Sequence, residues 1–111
     1  MTFDEYQKGA ISTAIYGEGN AIIYPTLGLT GEAGEVSEKV KKVLRDKSGE
    51  FSNEVKQAIA KELGDVLWYI AALCRDIGMP MDVVAQMNLA KLQARKEQNK
   101  IHGNGDNREE K

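Results

Sequence analysis

Residues 28–40 read GLTGEAGEVSEKV, and the periodicity of this stretch decides the fold. On a helical wheel at about 100° per residue, Val36, Val40 and Val43 lie within about 40° of Leu29 and define one apolar stripe. Glu32 falls about 60° from Leu29 and about 20° from Val43, inside that stripe, and Glu35 lies at its edge. A second segment repeats the pattern. With Ile59 as origin, Val66, Ile70 and Leu73 take the angles of the three valines, Glu62 that of Glu32 and Asp65 that of Glu35. Even Gly34 has its counterpart in Gly64.

Working outward, the chain reads as all-α and four-helix bundle-like. Thr2 followed by Glu5 has capping-box spacing, which predicts a first helix running to about Tyr16. GEGNAIIYP is a connection, with Tyr24 restricted by the following Pro25, and a second helix is predicted over 26–45. A third starts at Ser52 or Asn53 and stops before Gly78. Pro80 suits the first turn of a fourth, predicted to reach Lys96. Residues 1–99 thus form a single all-α domain, and 100–111 a polar, glycine-rich tail.

Composition narrows the class. The chain has 111 residues, 41% of them hydrophobic and 29% charged, with a formal net charge of −2. That balance offers no general attraction to nucleic acid or an anionic membrane. No apolar run approaches the ~20 residues that span a bilayer, and no signal peptide is visible. The one cysteine, Cys74, cannot form an internal disulfide, which suits a cytoplasmic setting; its apolar arc makes it a core residue. A chain this short buries a modest core, so shared burial through oligomerisation is expected.

The inward acids call for a physical reason. A lone carboxylate in an apolar site costs several kcal/mol or takes up a proton. Two helices that face each other would converge four such groups, Glu32, Glu35, Glu62 and Asp65, on one place. A divalent cation among them removes the conflict, because carboxylate oxygens are hard ligands suited to Mg²⁺ or Mn²⁺. Glu-x-x-Glu pairs are commonly solvated helix faces, and Glu38, opposite Leu29, is read as one of those solvent-facing acids. The only histidine is His102, in the tail, so neither Glu-x-x-His di-iron ligation nor a zinc site fits. Mg²⁺ usually shares its shell with phosphates. Asn88, Lys91 and Arg95 lie within about 60° of one another on the fourth helix and are candidates for phosphate contacts, the bland reading being an ordinary basic face. Tyr69, one turn after Asp65, places a hydroxyl near the cation or packs in the core. Trp68 points away from the acids, to pack against the first helix or between subunits.

The sequence resembles the MazG-like nucleotide pyrophosphohydrolases of the all-α NTP pyrophosphatase superfamily, whose motif is Glu-x-x-Glu, a spacer, then Glu-x-x-Asp. Here it stands as EAGE (Glu32, Glu35) and ELGD (Glu62, Asp65), within LTGEAGEVSE and KELGDVLWYI, and NLAKLQAR also matches in style. The resemblance covers roughly Tyr24 to Arg95. It implies Mg²⁺-dependent cleavage between the α and β phosphates of a nucleoside triphosphate, releasing a monophosphate and pyrophosphate. It also implies Glu32, Glu35, Glu62 and Asp65 as catalytic metal ligands, with Tyr69, Asn88, Lys91 and Arg95 contacting sugar or phosphate. The tail segment Gly103 to Arg108 resembles the C-terminal segment of some small members and is a candidate flap, with Arg108 facing phosphate. One departure stands out: some relatives carry a further water-activating glutamate just before the first motif acid, where this chain has Gly31. A non-catalytic helical module that binds a metal or nucleotide is therefore the alternative.

Overall fold

The computed structural model describes residues 1–98. Four α-helices follow in order, α1 (Phe3–Ile11), α2 (Ile23–Asp46), α3 (Asn53–Asp76) and α4 (Met81–Glu97), and no strand occurs among the described residues. The predicted all-α architecture is the one observed.

Each boundary has a local cause. Thr2 and Glu5 form the full capping box, the Thr2 hydroxyl accepting from the Glu5 N–H while the Glu5 carboxylate accepts from the Thr2 N–H. The Ser52 side chain caps α3 by accepting from the Val55 N–H. Gly78, at φ 75°, takes the left-handed turn that ends the α3 region.

Two boundaries differ from expectation. α1 stops at Ile11, short of Tyr16. The Ser12 and Thr13 hydroxyls donate to the Gly9 and Ala10 carbonyls, and the Trp68 indole N–H donates to the same Ala10 oxygen. These donors compete with the backbone for the carbonyls that would extend the helix. α2 starts at Ile23, before Pro25, which is buried in the first turn. A first-turn residue needs no N–H partner, so proline is tolerated there. The preceding residue, Ile22, has φ 69°, an uncommon conformation for a β-branched residue, and Asp76 at the end of α3 accepts its N–H.

α2 and α3 form a long antiparallel hairpin. Gly28 meets Tyr69, whereas Lys39, further along α2, meets Glu62, nearer the start of α3. α3 is the central rod: α2 packs on it, and α1 and α4 pack on it and on each other. The core cluster is built of small or soft side chains, Ala10, Ala71, Cys74 and Met81, with Tyr6, Leu67, Trp68, Ile70 and Val84 packed around it, and Pro25 and Val43 of α2 and Ala72 of α3 are also buried. Burial pushes the Cys74 thiol pKa up, in keeping with a core role.

α4 lacks a cap of its own, because Pro80 at its N-cap makes no side-chain hydrogen bond. α1 supplies one. Gln7 Oε1 accepts from the Met81 N–H and Asp4 Oδ1 from the Asp82 N–H, while the Gln7 amide donates to Ala71 and Met79 carbonyls. Gln7 thereby ties three helices with one side chain.

Candidate active site

The hairpin's shared pattern has a consequence in space. Glu32 on α2 and Glu62 and Asp65 on α3 each present a carboxylate oxygen, and the three oxygens lie within 4.8 Å of one another. Opposite oxygens in an octahedral Mg²⁺ shell stand about 4.2 Å apart, twice the Mg–O distance, so small side-chain adjustments would let the three share an ion. Three carboxylates with no nitrogen or sulfur donor fit a hard divalent cation.

The cluster opens on a cavity of about 400 Å³ lined by Thr13, Glu32, Asp65, Trp68 and Tyr69. Its wall is aromatic. The Trp68 and Tyr69 rings that form it meet edge-on at 5.0 Å, and Tyr16 and Tyr24, stacked with ring centroids 4.9 Å apart, pack against them. The Trp68 indole N–H is held by the Ala10 carbonyl and the Thr13 hydroxyl, which fixes the ring against α1 as expected, but the ring also lines the cavity beside Glu32 and Asp65 rather than turning away from the acids. Hydrogen bonding with Tyr24, then burial, then the charges of Glu32 and Asp65 raise the Tyr69 phenol pKa, so Tyr69 stays neutral beside the acids.

Gly28 makes room for this wall. A β-carbon there would overlap the Tyr69 ring. Gly28→Ala is therefore expected to destabilise the protein by about 1–3 kcal/mol of overpacking, partly offset by alanine's advantage of about 1 kcal/mol in a helix. Thermal unfolding of the single variant beside Gly28→Ala/Tyr69→Ala checks the cause, since the alanine at 28 should cost nothing once the ring is gone. An equal cost in both backgrounds would refute the clash.

Crowded acids show their conflict in one group. A hydrogen bond shared with Glu62 raises the Glu32 pKa above the ordinary glutamate value, and partial burial and the charges of Asp65, Glu62 and Glu35 act in the same direction. The folded chain thus binds this proton more tightly than the unfolded chain does. The resulting stabilisation is fully present below the ordinary glutamate pKa, about 4.3, and is lost as pH rises through the raised folded-state value. In EDTA, the stability of the parent protein relative to Glu32→Gln is expected to decline across that window on going from acid to neutral pH. Urea unfolding at a series of pH values measures it; a difference that stays flat would contradict the shared proton.

The expected quartet resolves into three converging acids and a fourth nearby. Glu35 is exposed and stands outside the converging three, though its charge reaches Glu32. Glu38 is solvent-facing, as expected, and pairs with Lys41 at 3.0 Å. On α4, Val84, Asn88 and Lys91 share one face, as their spacing predicts, but they line a different cavity, with Ile77, Met79 and Met87. Arg95 is buried. The structure therefore does not bring Asn88 and Lys91 into the acid-lined cavity of their own chain. Arg108 and the proposed flap lie outside the described residues. The sequence reading missed Thr13 and Tyr24, which reach the site only through tertiary packing, and Lys39, whose Nζ lies 3.6 Å from Glu62 Oε1. Lys39 did carry a signal: it sits about 20° from Glu32 on the wheel, and Tyr69 occupies the matching place in α3.

Residues 25–99 match the MazG nucleotide pyrophosphohydrolase domain, a span that contains both acid pairs and all but the first helix. The chain belongs to this family. A relative, the "Gene 37 protein" of Mycobacterium phage L5, is 47% identical over 114 residues, covering 97% of this chain and 100% of its own length. No solved structure matches the chain. Membership supports an enzyme of the pyrophosphohydrolase type, and an acidic cluster suited to a divalent cation stands within the matched region. None of the described helices is long and apolar enough to cross a membrane.

Proposed function

We propose that this MazG domain is a Mg²⁺-dependent nucleoside triphosphate pyrophosphohydrolase, with Mn²⁺ able to substitute. It would cleave the α–β anhydride of a (deoxy)nucleoside triphosphate to a monophosphate and pyrophosphate, in nucleotide-pool control in the cytoplasm. The observation that carries the reading is the convergence of Glu32, Glu62 and Asp65 beside an aromatic-walled cavity.

Glu32, Glu62 and Asp65 would hold the cation, with Glu35 completing the set. When bound, the metal neutralises triphosphate charge and makes a water nucleophilic near neutral pH. The protein's part is to hold and orient. Tyr69, neutral and fixed by Tyr24 and by Gly28's missing side chain, offers a hydroxyl to sugar or phosphate at the cavity wall. The proton of the attacking water passes to a carboxylate oxygen of the cluster, since Gly31 leaves no separate acid before Glu32. Asn88, Lys91, Arg95 and Arg108 are proposed to contact phosphate. Because Asn88 and Lys91 face another cavity, that role suits a homodimer or homotetramer. Exposed Ile23 and Leu27 on α2 and Met87 and Leu89 on α4 support such an assembly.

A panel of common triphosphates with Mg²⁺, with products separated by chromatography, tests the reading. Pyrophosphate and a monophosphate are expected from at least one of them; orthophosphate, or no product from any, would overturn it. The second reading, a non-catalytic nucleotide-binding module, draws on Gly31, where a side chain would meet only open space. Tight nucleotide binding with no product on prolonged incubation would favour it.

A further inference from the structure

Three acids pressed together need positive charge, and among the described residues the Lys39 amino group answers that need. Lys39 Nζ lies 3.6 Å from Glu62 Oε1, with the two side chains 34% and 19% exposed. Among the described residues, the pairs Lys41–Glu38, Arg45–Asp46 and Arg75–Asp76 each lie within a single helix, between residues close in sequence. Lys39 instead reaches from α2 across to α3 and meets an acid of the converging three. Lys41 and Lys42, its near neighbours in sequence, are exposed.

We propose that Lys39 is a built-in counter-ion that occupies Glu62 while the cluster is empty and yields that carboxylate when a divalent cation binds, so that it sets the cation affinity of the site. The inference rests on the reading of the cluster as a cation site. Its physics is competition. An ammonium and a divalent ion beside the same carboxylate repel each other, and a partly exposed lysine on a flexible stem can withdraw into water at little cost. The empty protein gains a partner for Glu62, and the loaded protein pays for it in affinity. A released ammonium beside the cluster can also meet an anionic ligand that arrives with the metal.

Mn²⁺ titrated by calorimetry into the protein and into Lys39→Met, with thermal unfolding of both in EDTA and in saturating Mn²⁺, tests this without any assay of turnover. The expected result is affinity tightened on the order of tenfold in Lys39→Met, together with a lower melting temperature in EDTA only. Lys39→Arg should restore both values, and Lys39→Gln replaces the methionine variant if the latter does not fold. Affinity unchanged or weaker in Lys39→Met and Lys39→Gln would overturn the counter-ion role while leaving the cation site standing. Failure of the parent protein to bind Mn²⁺ at all would remove the cation site and the role together.

Discussion

Asp65→Asn is expected to lower Mg²⁺-dependent pyrophosphate release by on the order of 10³-fold or more, a loss of several kcal/mol of transition-state stabilisation. The amide keeps the size of the carboxylate and removes its charge. Asp65 supplies one of three oxygens that lie within 4.8 Å of one another, and it lines the cavity where substrate would sit. An ordinary core substitution would reduce stability along with activity. Here the two should part. Asp65 is exposed, and its charge is among the causes that push up the Glu32 pKa, so its neutralisation relieves repulsion in the empty protein. The melting temperature in EDTA should therefore hold or rise, and the rise that Mg²⁺ gives the parent protein should vanish. Pyrophosphate release and paired thermal scans with and without Mg²⁺ measure both halves. Activity within tenfold of the parent, or a fall in EDTA stability matching the activity loss, would count against a metal-holding Asp65.

Gln7→Leu is expected to cost about 2–3 kcal/mol of stability, the upper part of the range for leaving a buried backbone N–H without its acceptor. Leucine preserves bulk and apolar contact at a position that is 9% exposed, so the loss reports hydrogen bonding rather than a cavity. The Met81 N–H loses its acceptor, and the Ala71 and Met79 carbonyls lose a shared donor. For a domain of this size the melting temperature should fall by roughly 10 °C. Gln7→Glu separates the effects, since it retains the acceptor for Met81 and sets a charge against two carbonyls. Chemical denaturation of both variants gives the free energies; a loss under 1 kcal/mol in Gln7→Leu would mean that water caps α4 adequately.

The site was legible where its residues repeat and obscure where they do not. The acid pairs stand at i, i+3 on two helices whose apolar stripes must face each other, so periodicity predicts that Glu32, Glu35, Glu62 and Asp65 meet; Glu32, Glu62 and Asp65 do, and Glu35 stands outside them. Lys39 obeys the same periodicity, but a lysine near an apolar stripe usually snorkels to water, and nothing local marks this one as turned inward. Thr13 and Tyr16 belong to the connection after α1 and Tyr24 to the first turn of α2, and no spacing rule relates those positions to α3. The α4 reading shows the reverse case. Its wheel grouped Asn88, Lys91 and Arg95 on one face, and Asn88 and Lys91 do line one cavity, yet which cavity that face lines depends on how α4 docks.

Helix content, the order of the four elements and the caps of α1 and α3 were written in the chain, because each depends on residues within a few positions of one another. So was the inward turn of the acids, a matter of helical angle alone. Tertiary structure decided the rest. The early stop of α1 comes in part from a tryptophan 58 positions away in sequence. The start of α4 is capped by two side chains of α1, because Pro80 has none to offer. Hydrogen bonds and charges between distant residues acquire their distances only once the helices have packed, and no pattern along the chain encodes those distances.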